Sequence, residues 1–288
     1  LKIAIVSVAK HSLNFALYLP MWVDLCIKRA ILGVDTQAFH QLRSKTKVLS
    51  IRLLARSFLH PNYRKSPAWA PGGLLGFRSQ SSALEDPNVQ QAIAYLEDTL
   101  SYENGKCSAL IEALASKYII ATPAEKLEWE NDPEGFAREI DAETSPEADN
   151  PRPCGIGLLE CMLEYSPDNV RKAIMSLAQM VAQNQSTSDD SIMAREAIYR
   201  IIGECFPHLK NTISFDQWYN DELKAIIVGN DPVLPALSPF SKSILTSRSL
   251  WLIGVCAEDL AVSSFSDAFN LCTTKISDPD VVVSLMSV

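Results

Sequence analysis

Few residues of this 288-residue chain have the types and spacing that chemistry requires. Pro71-Gly72-Gly73-Leu74-Leu75-Gly76 has the glycine density of a loop that cradles phosphate on backbone N–H groups. No Lys-Ser/Thr follows it and no strand precedes it, so it reads as a flexible loop. Cys205-Phe206-Pro207-His208 sets a thiol beside an imidazole, but tetrahedral zinc needs a second pair at matching spacing, and none is present. The four histidines are too scattered to nominate a base for a serine or cysteine nucleophile, and GxSxG is missing. One cluster remains: Glu128, Glu130, Asp132 and Glu134. Without a histidine or a DxDxDG pattern it is neither a metal site nor a catalytic carboxylate pair. It is either exposed, solvated charge on a loop or short helix, or a candidate for ionic contact with a protein. The reading is of a non-enzyme with no cofactor.

The elements that must position these acids are helices. Apolar residues make up 47% of the chain, with only 11 glycines and 16 prolines, so long unbroken elements are favoured over short strands and turns. A period of 3.6 residues recurs almost everywhere, as in Val89, Ile93, Leu96 and Leu100, and most broadly in Ala194, Ala197, Ile198, Ile201, Ile202, Cys205 and Phe206. Leu250 to Val255 is apolar all round, which suits a helix buried between neighbours. Ser166-Pro167-Asp168 and Asp278-Pro279-Asp280 are helix starts; Asp189 or Asp190 is suited to cap the helix that Pro207 would end. The pattern predicts helices near 3–18, 21–32, 36–59, 87–102, 106–120, 123–130, 151–165, 168–184, 190–206, 214–228, 241–258 and 264–276. Ile202-Gly203-Glu204-Cys205 returns as Ile253-Gly254-Val255-Cys256, 51 residues later. An offset of that size fits one helix-pair repeat with a lengthened loop. Such a pair cannot bury its apolar face alone, whereas stacked neighbours can. The expected fold is all-α, a HEAT/armadillo-like α-α superhelix of antiparallel helix pairs. Residues 1–59 form helical repeats, 60–86 an irregular loop, and 87–288 HEAT-like repeats with an acidic connector at 125–150 and a truncated last repeat.

Charge is unevenly placed. Residues 1–78 hold 12 Lys/Arg against 2 Asp/Glu, and residues 125–149 hold 10 acids against 2 basic residues. The basic residues alternate with apolar ones at helical spacing, which favours a solvated helix face over a nucleic-acid groove. Seven scattered cysteines, odd in number and without CxxC, read as buried free thiols of a reducing compartment. No stretch reaches the roughly 18 apolar residues of a bilayer span, so membrane insertion is not expected. The opening Leu1 and the apolar end at Val288 read as those of a fragment or an incomplete gene model.

From Trp129-Glu130-Asn131-Asp132-Pro133-Glu134-Gly135-Phe136 onward the sequence resembles importin-β-family receptors of the importin eleven type. The likeness runs through Arg152-Pro153-Cys154, Glu196-Ala197-Ile198-Tyr199, Phe215-Asp216-Gln217-Trp218-Tyr219, Trp251-Leu252-Ile253-Gly254 and Asp278-Pro279-Asp280-Val281-Val282-Val283, in the family's order. The chain departs from the family at 60–86, before Trp251, where only Lys242 and Arg248 stand for an arginine cluster, and after Val283. The resemblance implies a karyopherin that carries protein cargo between cytoplasm and nucleus. It also implies binding of the small GTPase Ran, mainly through repeats upstream of this segment, and of phenylalanine-glycine nucleoporins at the pore. The rival class is a HEAT-repeat scaffold for another assembly, which would share the stack but not the ordered motifs.

Overall fold

The computed structural model describes residues 1–33, 43–64, 84–140, 146–184, 186, 188–232 and 234–288. The loop Pro71–Gly76, residues 36–42 of one expected helix and residues 141–145 of the acidic connector lie outside them. Every regular element among the described residues is helical. The chain forms two compact units: Leu1–Tyr118 with Thr144–Ile174, and Ile119–Glu143 with Met175–Val288.

In the first unit, α1 (Lys2–Lys10), α2 (Ser12–Phe15), α3 (Leu19–Cys26), α4 (Ser44–Leu59), α5 (Pro87–Thr99), α6 (Lys106–Leu114) and α9 (Pro151–Tyr165) enclose a core that includes Leu53, Leu54, Phe58, Leu96, Leu158 and Leu159. Helix α4 packs along α9, and their C-terminal ends meet, with the Phe58 and Tyr165 rings 5.4 Å apart. The stretch expected as a single helix over 3–18 is interrupted at His11, whose backbone leaves helical geometry (φ −136°, ψ 40°).

The second unit contains α7 (Pro123–Asn131), α8 (Pro133–Ile140), α11 (Asp189–Glu204), α12 (Phe206–Leu209), α13 (Phe215–Trp218), α14 (Lys224–Val228), α15 (Pro239–Cys256), α16 (Val262–Lys275) and α17 (Val281–Met286); α10 (Pro167–Gln183) begins in the first unit. The repeated tetrapeptide now has a geometric meaning. Helices α11 and α15 lie side by side and run the same way. Ser241 Oγ donates to Asp189 Oδ1 at 2.7 Å, Arg248 pairs with Glu196, and Gly203 meets Trp251. Two of these links join residues 52 apart, one repeat length.

Several expectations need correction. Ser188, not Asp189 or Asp190, caps α11, accepting from the Ser191 N–H at 3.3 Å. Pro207 does not end that helix: α11 stops at Glu204, and proline opens α12, where its missing N–H costs nothing. The helix expected at 214–228 runs unbroken from Phe215 to Val228, with a π-helical turn, Tyr219–Leu223, between α13 and α14. Within Leu250–Val255, expected between neighbours, Leu250, Leu252 and Ile253 are buried, but Gly254 is exposed and Val255 is 45% exposed.

Candidate functional site

The four acids sit on α7, α8 and the single residue between them. Helix α7 opens with a reciprocal capping box: Thr122 Oγ1 accepts from the Glu125 N–H at 3.2 Å, and Glu125 Oε2 accepts from the Thr122 N–H at 2.6 Å. Asp132 ends α7 and starts α8, its Oδ1 accepting from the Gly135 N–H at 3.0 Å. A Cβ at Gly135 would lie 2.2 Å from the Asp132 carboxylate, so only glycine leaves room for this cap.

Trp129 and Phe136, 6% and 5% exposed, hold the pair of helices to the rest of the unit. Their ring centroids are 5.1 Å apart, and the Phe240 ring of α15 meets Trp129 edge-on at 5.5 Å. The Lys126 ammonium lies 5.0 Å above Phe240. The indole N–H of Trp129 donates to Asp280 Oδ2 at 3.2 Å, while Asp280 Oδ1 caps α17 by accepting from the N–H groups of Val282 and Val283. One carboxylate thus joins the Trp129 motif to the Asp278-Pro279-Asp280 motif, 151 residues away.

The acids differ in what they have left to offer. Asp132 is exposed but committed to its cap. Glu134 is exposed and 4.0 Å from Arg138, one turn along α8. Glu128 is half-buried, and Glu130 is exposed with no partner among the described residues. The cluster is therefore not one focus of charge but an exposed pair, Glu130 and Glu134, flanked by a cap and a half-buried residue.

The remaining motifs also prove to be joints between elements. Arg248 Nε and Nη2 donate to Glu196 Oε1 at 2.9 and 2.7 Å, both side chains being buried, and the guanidinium stacks 4.7 Å from the Trp251 ring centroid. The arginine just before Trp251 thus has a defined task. Glu222 gathers the Arg195 guanidinium, the Tyr199 hydroxyl and the Trp218 indole N–H, and Arg195 also reaches Asp231 at 3.2 Å. Phe215 is buried, Asp216 Oδ1 accepts from the Ala261 N–H at 2.9 Å ahead of α16, and the Tyr219 hydroxyl donates to Asp267 at 2.6 Å. None of these pairings was predicted from the sequence. The signal that would have found Glu196 and Arg248 is the repeat itself, since they stand 52 residues apart.

The thiols are chemically quiet. Desolvation by burial pushes Cys107, Cys154, Cys161 and Cys256 up to about 12, and Cys26 up to about 11. Cys205 is also buried, and among the described residues no group of three or more His, Cys, Asp or Glu side chains is arranged to hold a metal ion. No described helix is long and apolar enough to cross a membrane.

No protein-family model matches the chain. Human (Homo sapiens) importin-11 is 26% identical over 213 residues, covering 71% of this chain and 20% of the relative. Mouse (Mus musculus) importin-11 is 25% identical over 212 residues, with the same coverage. The chain thus spans about a fifth of the length of the curated relatives it matches. The solved structure of Lph2, described as a novel bidirectional nuclear transport receptor in S. cerevisiae, superposes with a TM-score of 0.70 at 16% identity, covering 99% of this chain and 27% of that one. The fold class is the expected all-α superhelix of HEAT type. The chain is thus similar in sequence to importin-11 over 71% of its length and shares the fold of a nuclear transport receptor.

Proposed function

We propose that this chain serves in a nuclear transport receptor that carries protein cargo between cytoplasm and nucleus through the nuclear pore, without catalysis. The observation that carries the reading is the likeness to importin-11 across 71% of the chain, combined with a fold shared with Lph2. Neighbour-only contacts let a helical repeat array flex and present a long surface to a large partner.

Three partner classes follow. Protein cargo of basic character suits a chain of net charge −8, because complementary charge speeds encounter. Within the acidic segment we assign the contact to Glu130 and Glu134, with Glu128 beside them; Asp132 supports it by fixing the start of α8. Ran is the second partner, with its principal site in repeats other than these. Phenylalanine-glycine nucleoporins are the third, and Val262, Phe265 and Phe269, exposed along α16, offer apolar side chains for them. The test is a pull-down with the full-length gene product, with and without GTP-loaded Ran. Capture of cargo that GTP-loaded Ran alters supports the reading. A partner set of cytoplasmic assembly components, indifferent to Ran, would replace it with a scaffold.

A further inference from the structure

The basic surplus of the first 78 residues is not simply solvated. On α4, Arg52 and Arg56 stand one turn apart and face the same way. Both are engaged by a short turn-and-bend stretch of the same compact unit, Glu147-Ala148-Asp149. Arg52 Nη2 donates to the main-chain carbonyls of Glu147 and Ala148, the latter at 3.3 Å, and to Asp149 Oδ1 at 2.8 Å. Arg56 Nε and Nη2 both reach Glu147 Oε1, at 3.2 and 2.9 Å. Two carboxylates on alternate residues and the carbonyls beside them are all read by one pair of arginines. Such a contact to a Glu-x-Asp sequence, using both carboxylates and main-chain carbonyls, is more specific than attraction between charges.

The two sides of the contact are held unequally. Helix α4 is fixed by Ile51, Leu53, Leu54 and Phe58, all fully buried, and the Arg52 side chain is 20% exposed. The acids reach it from outside: the Asp149 side chain is 98% exposed and that of Glu147 51%. The stretch is tied just before and just after, where the Cys154 thiol donates to the Pro146 carbonyl and Asn150 caps α9 by accepting from the Arg152 N–H at 3.1 Å. The contact with the arginines is made by the three residues between these two ties.

We propose that the Arg52–Arg56 face of α4 is a docking site for an acidic segment of a protein partner, of Glu-x-Asp type, and that Glu147–Asp149 is its internal stand-in, which the partner displaces. The occupant is identified by what the site already holds: a carboxylate for each arginine and main-chain carbonyls at Arg52. Self-occupation lowers the apparent affinity for a partner by the fraction of time the site is open. The inference stands apart from the transport reading and survives its failure.

The experiment uses the full chain and the labelled peptide Ac-Pro-Glu-Ala-Asp-NH2, with Ac-Pro-Gln-Ala-Asn-NH2 as control. The vacated variant Glu147→Ala/Asp149→Ala is expected to bind the acidic peptide about tenfold more tightly than the wild-type chain, because the internal competitor is gone. Binding should weaken with added salt and disappear in Arg52→Gln/Arg56→Gln. A milder pair, Glu147→Gln/Asp149→Asn, keeps the backbone contacts and is read in the same way. The proposal is overturned if either vacated variant keeps the wild-type helical circular dichroism and binds the acidic peptide no better than the control. It is equally overturned if both variants unfold, since the stretch would then be a structural staple.

Discussion

Two arginine–carboxylate contacts, one in each compact unit, show how differently the same chemistry is used. In the second unit Arg248 and Glu196 meet with side-chain exposures of 3% and 0%, under the Trp251 ring and between two helices of consecutive repeats. In the first unit Arg52 and Arg56 meet Glu147 and Asp149 at the surface, on a three-residue stretch. A buried pair has already lost its hydration, so each charge depends on the other; an exposed pair can trade its partner for water at little loss. The buried pair fixes register between repeats. The exposed pair can be exchanged.

Arg248→Ala should have the largest effect. It removes a buried, doubly hydrogen-bonded pairing with Glu196 and the stack on Trp251, for a loss of about 3–5 kcal/mol. Chemical denaturation of the variant measures it. A loss below about 1 kcal/mol would mean that Glu196 finds water or another donor, and that the buried pair behaves as the exposed one does.

Glycine substitutions sharpen the same contrast within one repeated sequence. A Cβ on Gly203 would sit 2.2 Å from the Trp251 ring, whereas one on Gly254 meets nothing within 4 Å. Gly203→Ala should therefore cost about 1–3 kcal/mol through overpacking beside the buried pair. Gly254→Ala, on an open helix face, should be neutral or stabilise by up to about 1 kcal/mol through helix propensity. Thermal melts of the two variants compare them directly, and equal shifts would break the assignment of Gly203 to the joint between repeats.

At the exposed contact, Arg56→Ala should cost only about 0–1 kcal/mol, and most of that should vanish in high salt. Denaturation at two salt concentrations reads it out. A salt-independent loss of several kcal/mol would show that Glu147 is fixed in place, contrary to an exchangeable stand-in.

Much of the fold was legible because apolar period and capping chemistry are local. The stripe through Ile198, Ile201 and Ile202 lies in a buried helix, as its spacing predicted, and Trp129 and Phe136 bury the ends of an acidic run. What the sequence concealed was pairing over a distance. The Cys205 to His208 segment shows only a helix end and a following turn, but nothing local in Glu222 announces that it collects Arg195, Tyr199 and Trp218. The candidate acids were found by charge density, which does not separate a carboxylate spent on a cap, such as Asp132, from one left in water, such as Glu130. The basic run of the first 78 residues was read as a solvated face for the same reason, since its partners lie about 95 residues further along the chain.

Asp267 supplies a case between the two extremes, and the smallest effect. It accepts from the Tyr219 hydroxyl at 2.6 Å and pairs with Lys224 at 2.9 Å, with its own side chain 39% exposed. The hydrogen bonds from Tyr219 and Lys224 hold its carboxyl below the usual carboxylate range, since they favour the charged form. A folded-state value below the unfolded one means that the unfolded chain takes up protons first as pH falls. The stabilisation is therefore fully present above pH ~4, the ordinary aspartate value, and is lost as pH drops through the lower folded value. Because solvent screens a partly exposed pair, the contribution at pH 7 should be below about 1 kcal/mol, nearer to that of Arg56 than to that of Arg248. The check is the stability difference between the wild-type chain and Asp267→Asn, measured by denaturant titration at pH 7, 5 and 3. The difference should be similar at pH 7 and 5 and shrink by pH 3. A difference that grows as the pH falls would mean that Asp267 binds its proton more readily in the folded chain, and that burial outweighs its two donors.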